Sequence, residues 1–200
     1  MAGSVTDPIF DGDDDGNTPL TPEEREGLVP SWIATRADLN RAEFDNIARA
    51  QTWAARRRRD ILAFDTLIAL HKQMFGSVWR WAGAFRTTGK NIGVDPARIG
   101  MDLHALLEEV RFWIADAVYS PDELMGRLHH RLVLIHPFPN GNGRHARMAA
   151  DLLAAQMGVA ALTWGRTSVI APGLVRAQYI AALKAADRHD VGPLLAFVRG

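Results

Sequence analysis

Apolar residues recur at three- and four-residue intervals along most of this chain, which predicts a succession of helices. The clearest run is Ile99, Leu103, Leu106, Leu107, Val110, Trp113, Ile114 and Ala117, opened by Asp95-Pro96. Leu124, Leu128, Leu132 and Ile135 share one face of the next helix, and Ser120-Pro121-Asp122-Glu123 caps its start. That helix should end near His136-Pro137, because the residue before a proline avoids the helical region. Another begins at about Gly143, carries Met148, Leu152 and Ala155 inward, and stops at Gly158. Upstream, Thr21-Pro22-Glu23-Glu24 starts a short helix that Gly27 and Pro30 terminate. A longer helix covers about Ala37 to Arg59, and Leu67, Ile68, Leu70, His71, Met74 and Phe75 continue the helical pattern. The run Arg56 to Arg59 rings its helix and reads as a solvated end, since successive helical residues point about 100° apart. Helices around Leu174 to Ala186 and Pro193 to Val198 complete the chain. Between Trp79 and Gly93 the character changes to Trp, Phe, Thr and scattered Gly, which fits short extended pieces or a hairpin. The expected fold class is all-α with one small β-hairpin.

Composition narrows the class. The 200 residues are 48% hydrophobic and 23% charged, enough for a sizeable core. Lys+Arg and Asp+Glu number 23 each, so bulk electrostatic binding of nucleic acid is not expected, although a small basic pocket remains open. The absence of cysteine excludes disulfides, thiol chemistry and Cys-type zinc sites. No apolar stretch reaches about 18 residues and no signal-peptide pattern opens the chain, so a soluble cytoplasmic protein without a membrane partner is expected. Residues 1–18 are small and acidic and are expected to form a mobile tail, followed by N-terminal helices over 19–59 and the main domain over 60–200. Asp11, Asp13, Asp15 and Gly16 imitate the start of a calcium loop, but Pro22 stands where a bidentate Glu is required, which favours a solvated tail. His129, His130 and His145 lack zinc spacing and read as exposed or core-edge residues. Trp32, Trp53, Trp113 and Trp164 read as core or core-rim packing.

The chemistry is concentrated in His136-Pro-Phe-Pro-Asn140-Gly-Asn-Gly-Arg144-His-Ala-Arg147. Gly141 and Gly143 flank Asn142 at a helix start, where backbone can approach a ligand closely and free N–H groups attract an anion. Arg144 and Arg147 lie three apart and project from one side of the first turns. Two arginines at a helix N-terminus are unfavourable unless an anion offsets them, and guanidinium suits phosphate. His136 is a candidate general base, with a reference pKa near neutrality. Phe138 is an apolar anchor for the loop. A Gly-rich turn with solvent-exposed arginines would account for a lone GNG, but not for paired arginines, two glycines and an upstream histidine together.

The segment resembles the signature of the Fic family, HxFx(D/E)GNGRxxR, matching every fixed position except the acidic one, which is Asn140. Trp81-Ala82-Gly83, Phe85-Arg86 and Asn91-Ile92 resemble the family's flap region, and Asn140 within IHPFPNGNGRHAR resembles the subgroup called mobile mystery protein B. The resemblance implies a Fic-type helical bundle with a hairpin flap, transferring AMP from ATP to a Ser, Thr or Tyr hydroxyl of a target protein. It implies that His136 deprotonates that hydroxyl. The Gly141 to Gly143 backbone and the Asn142 side chain would hold the α and β phosphates, and Arg144 and Arg147 the distal ones. Thr87, Thr88, Gly89, Lys90, Asn91 and Ile92 would form the flap that aligns the target chain by strand-like pairing. In the family the missing carboxylate holds Mg²⁺; an amide oxygen adds no charge, so Asn140 should weaken metal binding. Glu26-Gly27 matches the end of the family's inhibitory pattern (S/T)xxxE(G/N), with Pro22 at the Ser/Thr position; the resemblance would aim Glu26 at Arg147, against the alternative of an ordinary surface glutamate. Transfer of another group such as phosphate, and a catalytically silent nucleotide- or partner-binding module, stay open because of Asn140. A separate regulatory protein is compatible with each.

Overall fold

The computed structural model describes residues 9–10, 18–56, 59–165 and 172–200. Its elements are α1 (Pro22–Arg25), α2 (Arg36–Ala55), α3 (Phe64–Phe75), a 3-10 turn (Pro96–Arg98), α4 (Ile99–Ala115), α5 (Pro121–Ile135), α6 (Asn142–Gln156), α7 (Pro172–Ala186) and α8 (Gly192–Arg199). The caps read from sequence are formed. The Thr21 side chain accepts from Glu24 N–H while Glu24 reaches back to the Thr21 N–H, and Ser120 accepts from Glu123 N–H. Helix α2 stops at Ala55, short of the expected Arg59; Arg57 and Arg58 lie outside the described residues, as do Asp11 to Gly16.

Helices α5 and α6 pack most extensively on one another, with α3 and α4 alongside and α8 closing against α5. The α4 stripe of Ile99, Leu103, Leu106, Leu107 and Val110 is buried, and so are Leu124, Leu128, Leu132 and Ile135 on α5. On α6 the inward face is rotated from the expected one. Met148 is buried, but Leu153 and Ala154 are buried in place of Leu152 and Ala155. The small residues Ala146, Ala149 and Ala150 explain the rotation, since they let α6 contact both α5 and α3.

The all-α class holds, but the expected hairpin is not formed. Among the described residues the sole β-bridge joins Leu28 to Trp79. Residues 85–95 run as a loop, and one buried side chain ties two of its carbonyls to two at the end of α5. Arg86 donates to the oxygens of Thr88 (2.9 Å), His136 (2.6 Å) and Ile135 (3.4 Å), and also to Val94. A guanidinium with five donors replaces the ladder that a second strand would have supplied.

Other expectations are corrected by burial. His129 and His145 are fully buried, not at the core edge, and Trp32 is exposed. Among the described residues no helix is long and apolar enough to cross a membrane. Within the acidic stretch, the Phe10 ring packs 6.2 Å from that of Trp79, with the Arg25 guanidinium 4.9 Å above it, and Thr18 is buried.

Candidate active site

The site is built on the turn between α5 and α6. His136 closes α5 in the left-handed region (φ 52°), a conformation a non-glycine residue adopts at a cost. It is held there by its own N–H to Leu132 O (3.1 Å) and by the Arg86 guanidinium on its carbonyl. The clamp is tight: a Cβ on Gly93 (φ 119°) would lie 2.5 Å from an Arg86 nitrogen and 2.8 Å from His136 Cβ.

The side-chain contacts of His136 define its tautomer. Nδ1 faces the Val133 carbonyl at 3.3 Å, which can only accept, so Nδ1 carries the proton. Nε2 is then an acceptor, and the Thr18 hydroxyl donates to it at 3.0 Å. Burial pulls the imidazolium pKa down to about 4, opposed by the Val133 carbonyl and reinforced by the Arg86 and Lys90 charges. The ring is therefore a neutral base at pH 7.

Beyond His136 the turn is shaped from beneath. Phe138 is fully buried, stacked on His71 with centroids 3.7 Å apart. His71 accepts from Gly83 N–H through Nδ1 and donates through Nε2 to Asn140 O, both at 3.0 Å. Gly141 (φ 79°) leads into α6, and a Cβ there would stand 2.6 Å from the Phe75 ring. The Asn142 side chain accepts from Phe138 N–H (2.9 Å) and donates to Phe138 O (2.8 Å). Its Oδ1 and one Nδ2 hydrogen thereby hold the loop, and one N–H of the amide is left to donate. Its backbone N–H, with those of Gly143 and Arg144, belongs to the first turn, where no intrahelical acceptor exists.

Arg144 and Arg147 both line a cavity of about 930 Å³ that also touches Thr18, His136, Asn140 and Gly141. They are held differently. Arg144 bonds Glu43 of α2 at 2.6 Å, and Glu43 also accepts from Trp79 Nε1 at 2.8 Å. Arg147 lies over the Tyr179 ring at 4.4 Å, and its buried Nε has no hydrogen-bond partner among the described residues. An unsatisfied buried guanidinium nitrogen beside a helix N-terminus is what an anion would relieve.

Glu26 does not reach Arg147. It caps the one-turn α1 and is exposed. Helix α1 docks through Glu24 instead: its carboxylate meets Lys90 Nζ at 2.5 Å and its carbonyl accepts from Trp81 Nε1 at 2.9 Å. The surface reading of Glu26 therefore stands. Of the expected flap, Asn91 and Ile92 border the cavity, whereas Thr87, Thr88 and Gly89 are exposed and Lys90 turns in to Glu24.

The Asn140 side chain is engaged on both sides. Its Oδ1 accepts from Gly141 N–H (2.6 Å), and its Nδ2 donates to Thr18 O (3.1 Å). Among the described residues no group of His, Asp and Glu is arranged to hold a metal ion. The carboxylate of Glu43 is spent on Arg144 and Trp79. One neutral, already hydrogen-bonded oxygen does not make a Mg²⁺ site, so the donor set here does not fit that ion.

Thr18 and Glu43 were not singled out by the sequence. Each is an ordinary residue in its local context and acquires its place only through contacts with residues about 100 positions away.

The all-α fold and the arginine-bearing loop between two helices are what the comparisons with known proteins match. The chain carries a Fic/DOC family domain, matched over residues 61–154. It is 29% identical over 150 residues to the protein adenylyltransferase fic-1 of Caenorhabditis elegans, spanning 71% of this chain and 27% of that protein. The Caenorhabditis briggsae protein adenylyltransferase fic-1 is 30% identical over 145 residues, 68% of this chain and 26% of that one. The chain thus spans about a quarter of the length of the curated relatives it matches. The solved structure of C. elegans Fic-1 superposes with a TM-score of 0.63 at 25% identity, covering 87% of this chain and 51% of that one. A Bartonella tribocorum BepC structure with bound AMPPNP shares the fold, with a TM-score of 0.68 at 15% identity, covering 90% and 97% of the two chains.

Proposed function

We propose that this chain is a protein adenylyltransferase that transfers AMP from ATP to a Ser, Thr or Tyr hydroxyl. The observation that carries the reading is a hydroxyl standing 3.0 Å from the unprotonated Nε2 of a neutral, buried His136, in a cavity also lined by Arg144 and Arg147. The curated relatives named protein adenylyltransferases support the same chemistry. The acceptor oxygen attacks the α-phosphorus, its proton passes to His136 Nε2, and the bond to the bridging oxygen breaks to release pyrophosphate. The first-turn N–H groups of α6 receive the α and β phosphates, and Arg147, whose Nε lacks a partner among the described residues, receives the distal charge. Arg144 joins it by exchanging Glu43 for phosphate. Asn91 and Ile92 border the space in which a target chain would lie.

Purified protein incubated with labelled ATP, Mg²⁺ and a cell lysate should add one AMP to lysate proteins, read by mass. Addition of a phosphoryl group would identify a phosphotransferase instead, and no addition would leave a binding module.

No step is routed through the metal, because the donor set does not fit it. Mg²⁺ would arrive on the ATP phosphates and meet at most the Asn140 amide oxygen. Asn140→Asp adds the missing charge and should lower the Mg²⁺ concentration for half-maximal transfer by about tenfold, the effect of about 1.4 kcal/mol. A metal titration of both proteins checks this, and superimposable curves would place the ion away from residue 140.

A further inference from the structure

The segment that precedes α1 lies in the site as an acceptor chain would. Thr18 is buried, and three contacts fix it. Its hydroxyl donates to His136 Nε2 (3.0 Å), its carbonyl accepts from Asn140 Nδ2 (3.1 Å), and the next carbonyl, of Pro19, accepts from Lys90 Nζ (2.9 Å). Lys90 is itself locked by Glu24, in a pair whose side chains are 3% and 13% exposed. The segment is therefore gripped from the flap on one side and from the anion loop on the other. One of those grips depends on the amide at position 140, which can donate to Thr18 O where a carboxylate could not.

We propose that Thr18 is an acceptor for AMP in its own chain, so that the protein modifies itself within one molecule. The inference rests on the adenylyltransferase reading above. Its hydroxyl already has the relation to the base that transfer requires, with donor and acceptor within the 2.6–3.2 Å range of a nucleophile and its general base. Thr18 lines the same cavity as Gly141, Arg144 and Arg147. The step balances without further reagents. Thr18 Oγ1 forms the ester bond to the α-phosphorus of ATP, pyrophosphate leaves with the bridging oxygen, and the Thr18 proton moves to His136 Nε2. Thr21, the nearest other hydroxyl in the sequence, is occupied as the α1 cap and faces Glu24 N–H.

The test uses the full chain with ATP and Mg²⁺, followed by tryptic mapping. The peptide ending at Arg25 contains Ser4, Thr6, Thr18 and Thr21 as its only hydroxyls, so fragmentation assigns the site. AMP is expected on Thr18, with a fractional rate independent of protein concentration. It should disappear in Thr18→Val, reappear in Thr18→Ser, and be absent from His136→Ala even when that variant is mixed with active protein. Transfer to lysate proteins with Thr18 unmodified, or self-modification at another hydroxyl, overturns this inference and leaves the proposed function standing. Modification of the His136→Ala chain by active protein overturns the intramolecular route. Absence of AMP from every protein overturns both readings.

Discussion

Replacing His136 by alanine is expected to lower AMP transfer by about 10²–10⁴-fold, the usual contribution of a positioned general base. ATP affinity should be retained, because the groups assigned to phosphate lie further along the turn, from Gly141 to Arg147. The main-chain anchors of position 136, Leu132 O and the Arg86 guanidinium, do not involve the imidazole, so the turn has the means to keep its shape. Calorimetry for ATP beside a transfer assay separates the two effects. Loss of both together would show that the ring supports the loop, and full activity would remove it from the reaction. The pH profile gives a second check. With its pKa held at about 4, His136 stays in the basic form throughout the neutral range, so the rate should be level between about pH 8 and 6. A fall centred near 6.5 would mean that the working imidazole is solvated.

Acid is expected to unfold the protein at about pH 5, well above the range in which carboxylates titrate. Four of the five buried histidines have a lowered pKa. Burial takes His136 and His145 to about 4, takes His129 to about 3, and holds His71 well below its usual value. Each has a folded pKa below its unfolded one, so the unfolded chain binds more protons as pH falls through 6.5. Stability is fully present above that value and drains away toward the folded pKa. His129, His136 and His145 each cost about 2 kcal/mol by pH 5, about 6 kcal/mol for the three, and His71 acts in the same direction, which together is comparable with the whole stability of an ordinary domain. Denaturant titrations at steps from pH 8 to 4.5 measure the slope. A midpoint unchanged down to pH 5 would mean that these rings are accessible to protons in the folded state.

These histidines are also what a linear reading handles least well. Nothing in the residues beside His129 and His145 marks them as buried. Their burial follows from packing α5 and α6 face to face, and Nε2 of each ring meets a distant group, Tyr179 OH for His129 and Leu67 O for His145. A ring nitrogen that finds such a partner can be buried at little cost, and only the assembled core shows that the partner is there.

The sequence by itself determined the helices and the loop. Their signals are local: apolar spacing, Ser or Thr caps followed by acids, proline at helix starts, and glycine where φ must be positive. The cluster from His136 to Arg147 was legible for the same reason, since all its members lie on one turn. What only the tertiary structure decided is how that turn is supplied from elsewhere. Arg86 gathers the carbonyls that a hairpin would have paired, because one buried guanidinium satisfies what a second strand would have. Glu43 takes Arg144, and Glu26, the carboxylate that motif spacing pointed to, stays in solvent, because a single-turn helix fixed by Glu24 to Lys90 does not also present its C-cap to α6. Thr18 reaches His136 across 118 positions. Contacts at that separation depend on chain closure and on the sum of all the packing between them, and neither leaves a periodic or compositional trace at the residues that finally meet.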